Sequence, residues 1–134
     1  MSGSEKRKNL RAPLKTTMHM MMVDTNQTNI IQGQDMLKLR TGQIKNLSAT
    51  GACILTSDLK GQWLEYLKNN FLQIVLRFNL PGDTQPISAA GQVSWVEKNA
   101  DTQAQGLYML GLKFVKIEPT DLEKINRFIE APPE

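Results

Sequence analysis

The chain is 134 residues long, which gives room for one domain around one hydrophobic core. Its 40% hydrophobic and 22% charged content is ordinary for a globular protein, and no apolar stretch approaches the roughly 18 residues that span a bilayer, so membrane insertion is not expected. The net charge of +3 is too small to announce a general binder of DNA or RNA polymers, and the lone Cys53 excludes an internal disulfide, which leaves the cytoplasm as the expected compartment.

Residues 1–13 read as a basic arm. Lys6, Arg7, Lys8, Arg11 and Lys15 fall within the first fifteen residues against only Glu5, and the segment lacks the apolar stretch of a secretory signal. Such a dense, short cationic segment suits a small anion better than a long polyanion, because each phosphate neutralised needs its own basic group. A solvated basic tail is the alternative reading. Residues 14–23, rich in Thr, Met and Val, predict a first strand, and the polar 24–29 a turn. In 37–44 the apolar Leu37, Leu39 and Ile44 flank Thr41-Gly42, which predicts a strand with a kink or bulge at that pair.

The short apolar run 52–56 predicts a buried strand. Trp63, Leu64 and Leu67 have helix-like spacing within 59–70, which fits a helical turn or a covering loop. Leu72, Ile74, Leu76 and Phe78 alternate through a strand over 71–80 that ends at Pro81-Gly82-Asp83. Residues 87–97 and 106–117 then read as paired strands joined by the polar 98–105. At the end, Pro119 suits a first helical turn, Thr120 or Asp121 can cap free N–H groups, and Leu122, Ile125, Phe128 and Ile129 form one stripe before Pro132-Pro133. At about three turns this helix is too short to stand alone and must pack on the rest. The rhythm gives about six strands plus a C-terminal α-helix, which predicts an all-β fold, a closed or nearly closed antiparallel β-barrel over 14–130, followed by a tail at 131–134.

Two clusters carry candidate chemistry. Arg7-Lys8-Asn9-Leu10-Arg11 has R-x-x-x-R spacing, and Asn46-Leu47-Ser48-Ala49-Thr50-Gly51 reads N-x-S-x-x-G between two strand-like segments. Arginine's planar fork matches a phosphate or guanine O6 and N7, whereas guanine's other edge presents N–H donors that an Asn oxygen accepts. A Ser hydroxyl can donate to a phosphate oxygen or fix the turn, and Gly admits backbone N–H groups close to a ligand. By average residue usage an R-x-x-x-R arises in very roughly a third of chains this size and a [DN]-x-S-x-x-G in roughly one in twenty, so their ordered pairing is more specific than either.

Arg7 to Arg11 followed by Ala12-Pro13, then Ile44 to Gly51, resembles the two-part signature of PilZ domains. Gly91-Gln92-Val93-Ser94-Trp95 and Leu110-Gly111-Leu112-Lys113-Phe114 resemble that family's later strands, so the likeness covers nearly the whole chain. It implies a six-stranded antiparallel barrel that binds the bacterial second messenger cyclic di-GMP. On this resemblance Arg7 and Arg11 would grip guanine and phosphate, Asn46 would meet a guanine edge, and Ser48 and Gly51 would shape the turn and meet phosphates. Lys6 precedes the first arginine, where family members differ in how many nucleotides they take up; one molecule and an intercalated pair both stay open. Trp95 either stacks on a guanine or, alternating with Val93, belongs to the core. The expected function is a cyclic di-GMP receptor or adaptor whose arm changes conformation on binding and signals to a partner protein. The short leader predicts no further domain before the arm, so regulation is expected to act on another molecule. The alternative is a nucleotide-independent PilZ-type protein-interaction module of the pilus-assembly kind.

Other readings are weaker. Met18-His19-Met20-Met21-Met22 invites soft-metal ligation, but on a strand Met18, Met20 and Met22 would face one way and His19 and Met21 the other. Cys53 sits in an apolar run and reads as a buried small hydrophobe. Ser48 has no evident general base, and no paired-carboxylate, phosphate-loop or zinc spacing appears, so neither catalysis nor a metal or cofactor is expected. A single-stranded nucleic-acid surface would interleave aromatics with basic residues, whereas most of the two Trp, two Tyr and four Phe fall at core-like positions.

Overall fold

A strand turns alternate side chains to opposite faces, so several alternating runs bury their apolar sides together by wrapping around one axis. They do so in the computed structural model, which describes residues 11–24, 39–57, 59, 61–98 and 108–130. Among the described residues six strands form a closed antiparallel barrel: β1 (Arg11–Val23), β2 (Arg40–Ser48), β3 (Gly51–Thr56), β4 (Gln73–Phe78), β5 (Ile87–Lys98) and β6 (Tyr108–Ile117). Their order around the barrel is β1-β2-β3-β6-β5-β4, with β4 paired back to β1, so no strand edge is left open. Helix α1 (Gly61–Lys68) joins β3 to β4, and α2 (Pro119–Glu130) follows β6. The barrel and terminal helix expected from the strand rhythm are therefore both present.

Met18, Met20 and Met22 of β1, Ile44 and Leu47 of β2, Ile54 of β3, Ile74 and Leu76 of β4 and Leu110 of β6 are wholly buried inside the barrel. His19 and Met21 are exposed on the outer face, so the methionine-histidine run is divided by the wall itself, as alternation requires. Cys53 is buried, also as expected.

The two helices close opposite ends. Strand directions place the β3–β4 connection at one end and the close of β6 at the other. The sequence left 59–70 as helix or covering loop; α1 settles it, with Trp63 and Leu67 buried and the Arg40 guanidinium 4.7 Å from the centre of the Trp63 ring. Asn70 then adopts a left-handed conformation (φ 64°), and the Phe71 N–H returns to the Tyr66 carbonyl at 2.9 Å, which ends the helix. At the other end α2 buries Ile125 completely and packs Phe128 and Ile129 on the core. Asp121 accepts the Ser88 N–H at 3.3 Å, and Lys124 faces Asp83 at 3.5 Å, tying α2 to the β4–β5 connection.

Two boundaries differ from the sequence expectation. β1 begins at Arg11 rather than at residue 14, because Ala12 and Pro13 pair with Leu47 and Asn46. Pro13 borders a register shift, a place where a missing N–H is tolerated. In β2, Thr41 and Gly42 lie in regular register opposite His19 and Met18, and the irregularity against β3 falls between Ile44 and Asn46 instead. Gly42 serves packing: a Cβ there would lie 2.5 Å from Met18 Cε and 2.7 Å from the Leu55 carbonyl oxygen. Residues 1–10 of the arm expected over 1–13, most of the turn expected at 24–29, most of the 98–105 connection and the tail at 131–134 lie outside the described residues.

Asp83 makes the α2 anchorage sensitive to acid. Its carboxylate accepts the Gln85 N–H at 2.9 Å, which with Lys124 holds its pKa below the usual aspartate value despite an opposing desolvation effect. A folded pKa below the unfolded one stabilises the fold above the unfolded value of about 3.9 and loses that contribution as pH falls through the folded value. The gap in melting temperature between wild type and Asp83→Asn is therefore expected to be widest above about pH 5 and to close toward pH 2–3, as read by thermal unfolding across pH.

Candidate functional site

The N-x-S-x-x-G segment spans the tight connection between β2 and β3. The irregularity at Lys45 keeps Ile44 and Leu47 in the core while placing Asn46 and Ser48 on the opposite, outer face. Ser48 is buried, and its hydroxyl accepts the N–H groups of Gly51 (3.1 Å) and Thr50 (3.3 Å) and reaches the Gly51 carbonyl (3.2 Å). These contacts make Ser48 the clasp of the turn. Gly51 is required by close approach rather than by an unusual backbone angle, since a Cβ there would collide with the Leu112 carbonyl oxygen of β6. Phe114 of β6 donates its N–H to the Thr50 carbonyl at 2.8 Å, locking the turn to the next strand.

Strand register arranges two rows on the outer wall near the α2 end. One row runs Pro13–Asn46–Cys53–Gly111–Trp95 across β1, β2, β3, β6 and β5. The next runs from position 11 to Ser48, through the clasp to Gly51, then to Lys113 and Gln92. Paired residues of antiparallel strands project to the same side, so positions 11, 46, 48 and 51, forty residues apart at the extremes, share one face. Arg11 is described in its backbone alone, and Arg7 and Lys6 lie outside the described residues.

Trp95 corrects one of the two sequence readings. Strict alternation from the buried Val93 would send it inward, but a register shift between Val93 and Trp95 accommodates Ser94 as an extra residue. Trp95 is consequently 41% exposed, and its indole lies over Gly111, where any Cβ would collide with Nε1 and Cε2. Ser94 donates its hydroxyl to the Gly111 carbonyl at 3.2 Å, fixing the bulge. An aromatic face is thereby held on the wall in the same row as Asn46, and Trp95 is not a core residue.

Lys113 and Gln92 were not singled out by sequence reasoning. Leu110, Leu112 and Phe114 face the core, so the intervening Gly111 and Lys113 must face outward; that alternation was legible, but the pairing of Lys113 with Gly51 was not. The wall thus assembles an amide, an indole face and an ammonium around a clasped turn. That inventory can accept and donate along a heterocycle edge, stack on its face and meet an anion; among the described residues it includes no group of three or more His, Cys, Asp or Glu able to hold a metal. A groove of about 410 Å³ lies elsewhere, on the β1–β4 side, lined by His19, Met21, Leu39, Val75, Arg77 and Ser88. Among the described residues no helix is long and apolar enough to cross a membrane.

Comparison with known proteins agrees with this architecture. Solved structures with the same fold include the Bacillus subtilis inhibitor of motility MotI/DgrA (13% identity, TM-score 0.61, covering 90% of this chain and 47% of that one). They also include Borreliella burgdorferi PlzA in complex with c-di-GMP (12%, TM-score 0.58, 95% and 52%). A third is the PilZ domain of Escherichia coli YcgR with c-di-GMP (14%, TM-score 0.55, 90% and 84%). The chain thus spans about half the length of the first two and most of the third. A search of curated proteins gives no significant match. The PilZ domain family matches residues 5–131, almost the full chain, and the protein belongs to that family.

Proposed function

We propose that this protein is a receptor for cyclic di-GMP that catalyses no reaction itself and passes the signal to a partner protein. The observation that carries this reading is the register that sets Asn46, Ser48, Gly51 and Trp95 outward on the neighbouring strands β2, β3, β6 and β5, with position 11 paired to Ser48. Membership in the PilZ family and the c-di-GMP held by two structures of the same fold support it. In this reading Arg7 and Arg11 hold guanine and phosphate, Asn46 accepts from a guanine N–H, and Trp95 stacks on a base, with Lys6 at the arm's edge. Ser48 and Gly51 act chiefly by holding the turn and the β3–β6 approach in shape beside the ligand. Binding draws the segment carrying Arg7 and Arg11 against the wall, and the altered surface is what the partner reads.

Isothermal titration with cyclic di-GMP is expected to give a Kd well below about 100 μM at physiological salt. Asn46→Ala, which removes one neutral acceptor, should weaken binding about tenfold, and Arg11→Ala about ten- to a hundredfold through loss of a charge-assisted contact. Absence of binding to the intact protein would replace this reading with that of a nucleotide-independent interaction module.

A further inference from the structure

We propose that Lys113 is a ligand-binding residue that neutralises a phosphate from the β6 side of the β2–β3 turn. This rests on the proposed nucleotide-binding reading of the same wall. Lys113 pairs with Gly51 on one side and Gln92 on the other, and it is exposed on the outer face between the inward Leu112 and Phe114. Its row therefore places Ser48, Gly51 and the Lys113 cation on the successive strands β2, β3 and β6. Adjacent strands lie about 4.8 Å apart, so a long Lys side chain on β6 can span the step to Gly51 and meet a small dianion lying over the turn.

Its surroundings leave Lys113 available for this. Lys68, Lys124 and Arg127 are paired with Glu65, Asp83 and Glu123, whereas Lys113 has no acidic partner among the described residues. Neither row of the wall holds a carboxylate. An ammonium is also a point charge with rotatable donors, suited to phosphate oxygens rather than to a base edge. Lys113 stands on a strand fixed at the Thr50–Phe114 hydrogen bond, so this cation belongs to the barrel wall and not to the arm.

The experiment is a cyclic di-GMP titration of the full chain and of Lys113→Met, Lys113→Arg and Arg77→Gln. Arg77 lies on β4, facing His19 and Ser88 on the other side of the barrel, and controls for loss of one positive charge at a distance. Lys113→Met is expected to weaken binding about three- to tenfold at low salt, with the difference shrinking as salt is raised to about 0.5 M. Lys113→Arg should bind within about twofold of wild type, and Arg77→Gln should be indistinguishable from it. All these substitutions are at exposed strand positions, and matching melting temperatures would confirm intact folding. If wild type binds but Lys113→Met equals wild type or Arg77→Gln, the inference about Lys113 is overturned while the nucleotide reading stands. If wild type itself fails to bind, the nucleotide reading falls and this inference with it.

Discussion

Gly51→Ala is expected to destabilise the protein by about 3 kcal/mol, the upper end of the usual cost of overpacking. The added methyl would meet the Leu112 carbonyl oxygen, a backbone atom that no rotamer change can move aside. Relief requires β3 to part from β6 at the pairing of Gly51 with Lys113, which also strains the Ser48 clasp and the Phe114–Thr50 hydrogen bond. The substitution therefore acts on stability and site shape together, and its effect on any ligand follows from the first. Chemical denaturation with an unchanged slope and a lowered midpoint would report it. A loss smaller than about 1 kcal/mol would show that the β3–β6 approach relaxes freely, contrary to the tight packing described.

The second large effect concerns the aromatic platform. Gly111→Val places a branched side chain where the Trp95 indole rests, so the ring must leave the wall. The change keeps the indole chemistry while removing its placement, which separates stacking from mere presence of an aromatic. Base–aromatic stacking is worth about 1–3 kcal/mol, so cyclic di-GMP affinity is expected to fall by about ten- to a hundredfold, similar to Trp95→Ala. Intrinsic fluorescence offers a direct check, because Trp63 is buried near the far end and Trp95 is the exposed emitter. Quenching of Trp95 by ligand in wild type, lost in Gly111→Val, is the predicted pattern. Unchanged affinity in both variants would remove Trp95 from the site.

The core was legible in the sequence because its information is local. Met18, Met20 and Met22 alternate, as do Ile74, Leu76 and Phe78, and each set faces inward as a period of two demands. The stripe Leu122, Ile125, Phe128 and Ile129 likewise marked a helix that needed a surface to pack on, and it found the barrel end. Asn46, Ser48 and Gly51 were identifiable as a unit because they flank one tight turn within six residues of chain. Bulges were not legible in this way. Thr41-Gly42 looked like a kink but is regular ladder, whereas two of the real irregularities, at Lys45 and Ser94, carry no glycine or proline to announce them.

Sequence alone thus determined the strand count, the terminal helix and the turn residues, since each follows from side-chain periodicity or backbone chemistry over a few neighbours. Which face each site residue occupies was decided only by tertiary structure. One extra residue in β5 reverses alternation and turns Trp95 from an apparent core residue into an outward aromatic over Gly111. Pairing between β3 and β6, strands separated by more than fifty residues of chain, brings Lys113 beside Gly51. Register is set by closing the barrel as a whole, because a slip of one residue would expose every buried side chain of a strand. Only that closure brings Asn46, Ser48, Gly51, Lys113 and the Trp95 indole onto neighbouring strands of the outer wall.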